Sequence, residues 1–138
     1  MRDQEPPPLL LWMKLLLRFA GTFNLLAGLG MICLYHEGYR MLGAASQPAS
    51  ALAAQVMGCL VGLFGIGYHW VAGRPVENRN LLVLGWWSKA LGSLAALPYI
   101  LTGKLPWWFG AVVFFADVIY LPPFYLILRR LGRIGRAS

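Results

Sequence analysis

The sequence predicts an all-α fold, a transmembrane up-and-down four-helix bundle with both termini cytoplasmic, and three observations carry that expectation. Of 138 residues 59% are apolar and 12% charged, about half the charge of a soluble domain. The apolar residues gather into four runs of about 20, each long enough to cross about 30 Å of hydrocarbon. The basic residues fall mainly on one of the two sides those runs define. One domain, 1–138, holds them all, and a mean hydropathy of +0.61 excludes a secreted disulfide scaffold, a disordered tail and a soluble enzyme.

The first span covers about 9–34. Pro6 to Pro8 open it, since prolines precede a helix more readily than they continue one backwards. Lys14 and Arg18 lie in its first turns, where long side chains snorkel to the head groups beside Trp12 in the interfacial belt. Asp3, Glu5 and the proline run do not resemble a cleavable signal, so this run is expected to stay as a span. Tyr35 to Ser50 is a polar connection with His36, Glu37, Arg40, Gln47 and Pro48. The second span, 51–72, carries Gly58, Gly62 and Gly65, a strip of bare backbone suited to close helix contact.

Gly73 to Asn80 is a short turn, with Gly and Pro to stop one helix and Glu77, Asn78 and Asn80 to cap the next. The third span, 81–101, holds Lys89, and Pro98 near its end predicts a kink or early stop. Thr102 to Trp108 is a tight turn at a membrane boundary. The fourth span, 109–128, has Asp117 near its middle, and Pro122 with Pro123 should bend or break it.

The net charge of +7 is a matter of placement. Arg2, Lys14, Arg18, Arg74, Arg79, Arg129, Arg130, Arg133 and Arg136 all fall on one side, against Arg40 and Lys104 on the other, so the positive-inside rule puts both termini in the cytoplasm. A basic tail directly after an apolar run and without interleaved aromatics fits anionic lipid head groups, and no nucleic acid is expected as a partner.

Lys89 and Asp117 are the ionisable residues well inside spans, each costing about 2.5 to 3.5 kcal/mol at a helix centre. Counted from the cytoplasmic end they lie about 12 and 16 Å deep on adjacent antiparallel helices, so an ion pair inside the bundle is expected. Gly85, Lys89, Gly92 and Ala96 share one face, which should look inward. Asn24, between Gly21 and Gly28, and Gln55 are the remaining deep amides. Each of the four helices thus supplies one inward polar group, and Asn24, Gln55, Lys89 and Asp117 are the candidate ligand-binding residues. Lys89 and Asp117 are also the candidates for any acid and base.

His36 and His69 lie at opposite faces on this topology, and no metal-ligand spacing occurs, so neither metal nor cofactor is expected. Cys33 and Cys59 differ in depth and are not expected to pair. Tyr68, His69 and Trp70 fit an interfacial anchor. Trp86, Trp87, Trp107, Trp108, Tyr99 and Tyr120 fit an aromatic belt and core filling.

Gln55, Gly58, Gly62 and the string GIGY ending at Tyr68, then Pro75 and Asn78, Gly85, Lys89 and Gly92, TGKLPWWFG and Asp117 with PPF ending at Phe124, carry a resemblance. The chain resembles uncharacterised small four-span bacterial integral membrane proteins, similar in outline to DoxX-like proteins. The resemblance covers most of the chain and implies a bacterial inner-membrane protein, with no agreed activity attached. Lys89 and Asp117 stand where that group also has Lys and Asp, whereas Ala116 stands where the group has Asn.

The leading expectation is a bundle that binds a lipophilic ligand or docks to a larger membrane complex, with the Lys/Asp pair inside. An integral membrane enzyme using the pair as acid and base on a lipophilic substrate is the alternative, as is a proton-coupled small-molecule transporter. The expected partners are therefore the lipid bilayer, a lipophilic small molecule or a membrane complex, or further copies of the chain in a homo-oligomer.

Overall fold

The computed structural model describes residues 7–44 and 47–134. Arg2, Asp3, Glu5, Pro6 and Arg136, with Ala45 and Ser46 of the first connection, lie outside the described residues. The elements are α1 (Leu11–Cys33), α2 (Tyr35–Met41), α3 (Pro48–Gly73), α4 (Arg79–Leu101), α5 (Trp108–Ala116), a 3-10 turn (Val118–Tyr120) and α6 (Leu121–Ile134). Among the described residues there is no strand. Four segments are long and apolar enough to span a membrane: α1, α3, α4 and the combined run Trp108–Ile134. This is the helical, four-span architecture of an integral membrane protein.

Successive spans run antiparallel. Gly21 approaches Gly65 and Gly28 approaches Gly58, so α1 and α3 lie along each other in opposite directions. Gly85 of α4 leaves room for the Tyr68 ring of α3, where an added Cβ would stand 2.5 Å from the ring. The last span returns beside α4, with Trp86 Nε1 donating to the Leu121 carbonyl at 2.9 Å. Arg130 then donates to the Pro8 and Pro7 carbonyls at 3.0 and 2.9 Å, placing the start of α1 and the end of α6 at one end of the bundle.

That end is closed and the other is open. Among the described residues the buried apolar side chains, including Leu17, Tyr68, Leu82, Phe124, Ile127 and Leu131, come from the entry to α1 and its first half, the end of α3, the start of α4 and the last span from Tyr120 onward. Toward the opposite end the outward faces are apolar and uncovered, as at Leu26, Leu52, Leu94 and Phe115. In a bilayer those side chains meet acyl chains, so their exposure costs little.

Several local expectations are corrected. The connection after the first span contains a helix, α2, which Gly43 closes in the left-handed conformation (φ 73) with Gly43 and Ala44 N–H groups returning to the Arg40 and Tyr39 carbonyls. Gln47 and Ser50 form a reciprocal capping box and Pro48 sits in the first turn, so α3 begins ahead of residue 51. Asn78 does not cap α4 with its side chain; its Nδ2 donates to the Arg74 carbonyl at 3.0 Å, closing α3. The end of α4 is as expected, with Pro98 inside the helix and the stop at Leu101 within one turn of it. The last span continues past Leu128 through the arginines to Ile134, because that stretch is amphipathic and buries Leu131.

Candidate functional site

The site begins with a defect in the last span. Pro122 and Pro123 have no N–H to offer the carbonyls one turn back, and their rings crowd the helix that would precede them. The α-helical ladder stops at Ala116, six residues ahead of Pro122, and Asp117 takes up φ −129, ψ −59. The prolines then fall in the first turn of α6, where missing donors do no harm. The Tyr120 N–H, which would bond the Ala116 carbonyl in an unbroken helix, goes to the Asp117 carbonyl instead at 3.1 Å. The break thus frees one backbone acceptor deep in the span.

Lys89 occupies it. Its Nζ donates to the Ala116 carbonyl at 2.7 Å and to Asp117 Oδ1 at 3.0 Å, and stands 4.9 Å from the centre of the Tyr120 ring. Carboxylate, carbonyl and ring face together supply the anionic surroundings that a buried ammonium needs. Lys89 is 5% exposed, whereas the Asp117 side chain is 32% exposed. The pair is therefore asymmetric: the ammonium is sealed, and the carboxylate keeps an open side.

Aromatic packing holds this turn in place. Tyr120 lies 5.7 Å from Phe124, which meets Tyr68 edge-on at 5.0 Å. Tyr68 is 1% exposed, so it belongs to the core and not to an interfacial anchor. Its neighbour His69 packs on Gly21 with Nε2 at 3.3 Å from Thr22 Oγ1, and only Trp70 faces outward. The Trp86 bond to Leu121 fixes α6 at its first residue. Trp86→Phe is expected to lower stability by about 0.5 to 1.5 kcal/mol, the usual worth of one such bond, as read from thermal unfolding in detergent.

Lys89 and Asp117 are brought together. Asn24 is buried on the α1 stripe that also carries Leu17 and Ala20, and the register of the Gly21–Gly65 and Gly28–Gly58 contacts puts it at about the depth of the pair. Gln55 is half-buried two turns nearer the open end, about 10 Å from that depth, and among the described residues it bonds neither Lys89 nor Asp117. The inward face of α4 is also shorter than its small residues imply: Gly85 and Lys89 are buried, but Gly92 is exposed and nothing stands within 4 Å of its Cβ position.

A different side of α4, the one carrying Ala90, Ser93 and Leu97, borders a groove. It has a volume of about 510 Å³ between α4 and the last span, with Ser93, Leu97 and Ile100 on one wall and Val113, Phe114 and Val118 on the other. Lys89 and Asp117 do not line it themselves, but it reaches their sequence neighbours Ala90 and Val118, the second of them in the turn after the helix break. Ser93 spends its hydroxyl on the Lys89 carbonyl at 2.8 Å, so the groove walls are apolar. Sequence reasoning did not anticipate the Ala116 carbonyl or the part played by Tyr120; the adjacent prolines were the signal for the first.

Cys33 and Cys59 are both free and exposed. Among the described residues no three His, Cys, Asp or Glu side chains gather in a metal-holding group. Comparison of the chain with protein-family models, curated proteins and solved structures returned no match.

Proposed function

We propose that this chain is an integral protein of a bacterial inner membrane, with both termini cytoplasmic, that binds a lipophilic molecule in the groove between α4 and the last span. The observation that carries the reading is an apolar groove reaching the helix break, next to an asymmetric pair made of a sealed Lys89 and a carboxylate one-third exposed. A structural salt bridge has no need of that opening, whereas a hydroxyl-bearing ligand does. Its headgroup donates to Asp117, and its chain lies along Leu97, Ile100 and Phe114. Pockets for such ligands are mostly apolar with few placed polar groups, and ionisable residues inside a membrane mark function by default. The cytoplasmic assignment of the ends is supported by the Lys and Arg residues gathered at the closed end of the bundle.

The test is photocrosslinking of the purified protein with a long-chain alcohol bearing a diazirine. Labelling is expected on peptides from α4 and α5, and Ser93→Phe, which fills the groove without touching either charge, is expected to reduce it about tenfold, the effect of losing roughly 1.4 kcal/mol of binding. Labelling spread evenly over all outward faces, or unchanged by Ser93→Phe, overturns the reading.

A further inference from the structure

The closed end of the bundle carries a separate cluster of charge. A second groove, of about 610 Å³, runs between the start of α4 and the end of α6. Arg79 lines it from α4, and Arg129 and Arg133, one turn apart on α6, line it from the other side, with Val83, Trp86 and Leu128 completing the walls. Three guanidiniums share this space without a counter-charge among the described residues. Glu77 is engaged by Arg74 at 3.5 Å and Asp117 by Lys89, while Glu37 belongs to α2, beyond the far end of α1.

Arg79 is the informative member. Its Nε is shielded from solvent and has no hydrogen-bond partner, and its Nη2 lies 3.7 Å from the position a Cβ would take at Gly132. A buried N–H without a partner is uncommon and costly in a settled structure. Like charges held together in a partly dry groove add to that cost. An anion with several acceptor oxygens relieves both, and the guanidinium fork matches phosphate oxygens two at a time. Arg130, although adjacent in sequence, is turned away to the Pro7 and Pro8 carbonyls, so the cluster is a selection of arginines and not the whole basic tail.

The walls identify the source of the phosphate. A free anion would use the arginines alone, leaving Val83, Leu128 and the Trp86 ring uncovered. Trp87 and Tyr125 also line the groove and are 54% and 56% exposed, the kind of aromatic side chain that sits at head-group level. We propose that this groove is a binding site for an anionic phospholipid of the adjoining leaflet, its phosphate held by Arg79, Arg129 and Arg133 and its first chain carbons laid on Val83 and Leu128. This site is independent of the ligand groove at Lys89 and Asp117, and either proposal stands if the other fails.

The experiment is a lipid titration of the full chain in detergent, followed by native mass spectrometry, with dioleoylphosphatidylglycerol against dioleoylphosphatidylcholine. Preferential uptake of one phosphatidylglycerol is expected, by about tenfold, and the preference should fall as salt is raised to about 0.5 M. Arg79→Gln is expected to remove most of the preference and Arg133→Gln to reduce it about threefold, as lost charge-assisted bonds require. Lys14→Gln with Arg18→Gln, basic positions outside the groove, should leave it unchanged. Arg133 is exposed, so its variant carries the test if Arg79→Gln does not fold. Equal uptake of the two lipids, or a preference that survives both arginine variants, overturns the proposal. So does displacement of the lipid by an equimolar amount of inorganic phosphate, which assigns the arginines to a soluble anion.

Discussion

Asp117→Leu is expected to destabilise the protein by about 3 to 5 kcal/mol, because it strands a charged ammonium in the bundle. Lys89, at 5% exposure, has no route to water once the carboxylate is gone, and the Ala116 carbonyl and Tyr120 ring offer no full negative charge. Lys89→Met is expected to cost less, about 1 to 3 kcal/mol, since the Asp117 side chain is already 32% exposed. In the double variant Lys89→Met, Asp117→Leu no charge remains to be stranded, and most of the stability should return. Thermal unfolding in detergent checks all three. A single variant of Asp117 as stable as the parent would show that the ammonium does not depend on the carboxylate. The same series separates scaffold from site: the double variant is expected to fold and still to bind the photoreactive alcohol at least tenfold more weakly, the equivalent of about 1.4 kcal/mol. A double variant that folds and labels like the parent assigns the pair to structure alone.

The architecture was legible because lipid imposes one strong rule on sequence, that every spanning segment be long, apolar and helical. Residues 81–101 and 109–128 could be drawn from that rule, and the meeting of Lys89 with Asp117 followed from their depths on antiparallel neighbours. The closed and open ends were not legible. Burial in a soluble protein is marked by apolar against polar faces, but here Leu17 and Leu26 are both leucines on one helix, one wholly buried and one 66% exposed. Hydropathy does not distinguish a side chain packed on protein from one packed on lipid. The displaced helix break was half legible: Pro122 and Pro123 announced it, but its effect falls upstream, where the Ala116 carbonyl is released. Gln55 does not join the pair because it lies about two turns nearer the open end, a difference in depth that the position of a polar residue within its own run does not give relative to other helices.

The glycine contacts between α1 and α3 allow a sharper separation than the spacing of glycines does. At Gly28 an added Cβ would stand 2.5 Å from the Gly58 carbonyl oxygen and 2.9 Å from the Gly62 nitrogen, both backbone atoms. No rotamer change relieves a clash with backbone, so the two helices must move apart. Gly28→Leu is therefore expected to destabilise by about 3 kcal/mol, the upper part of the usual range for overpacking. The loss should be larger than that from a polar change on the outward face. Gly62 makes the control. It belongs to the same strip as Gly58 and Gly65, and its backbone touches α1, yet nothing stands within 4 Å of its own Cβ position. Gly62→Ala should be neutral or stabilising by up to about 1 kcal/mol through helix propensity. A sequence strip of three equivalent glycines implies equal effects at 58, 62 and 65, whereas the packing requires intolerance at 58 and 65 and tolerance at 62. Thermal unfolding of the three alanine variants decides between them. If Gly62→Ala proves as damaging as Gly58→Ala, then α1 and α3 meet in a different rotation about their axes.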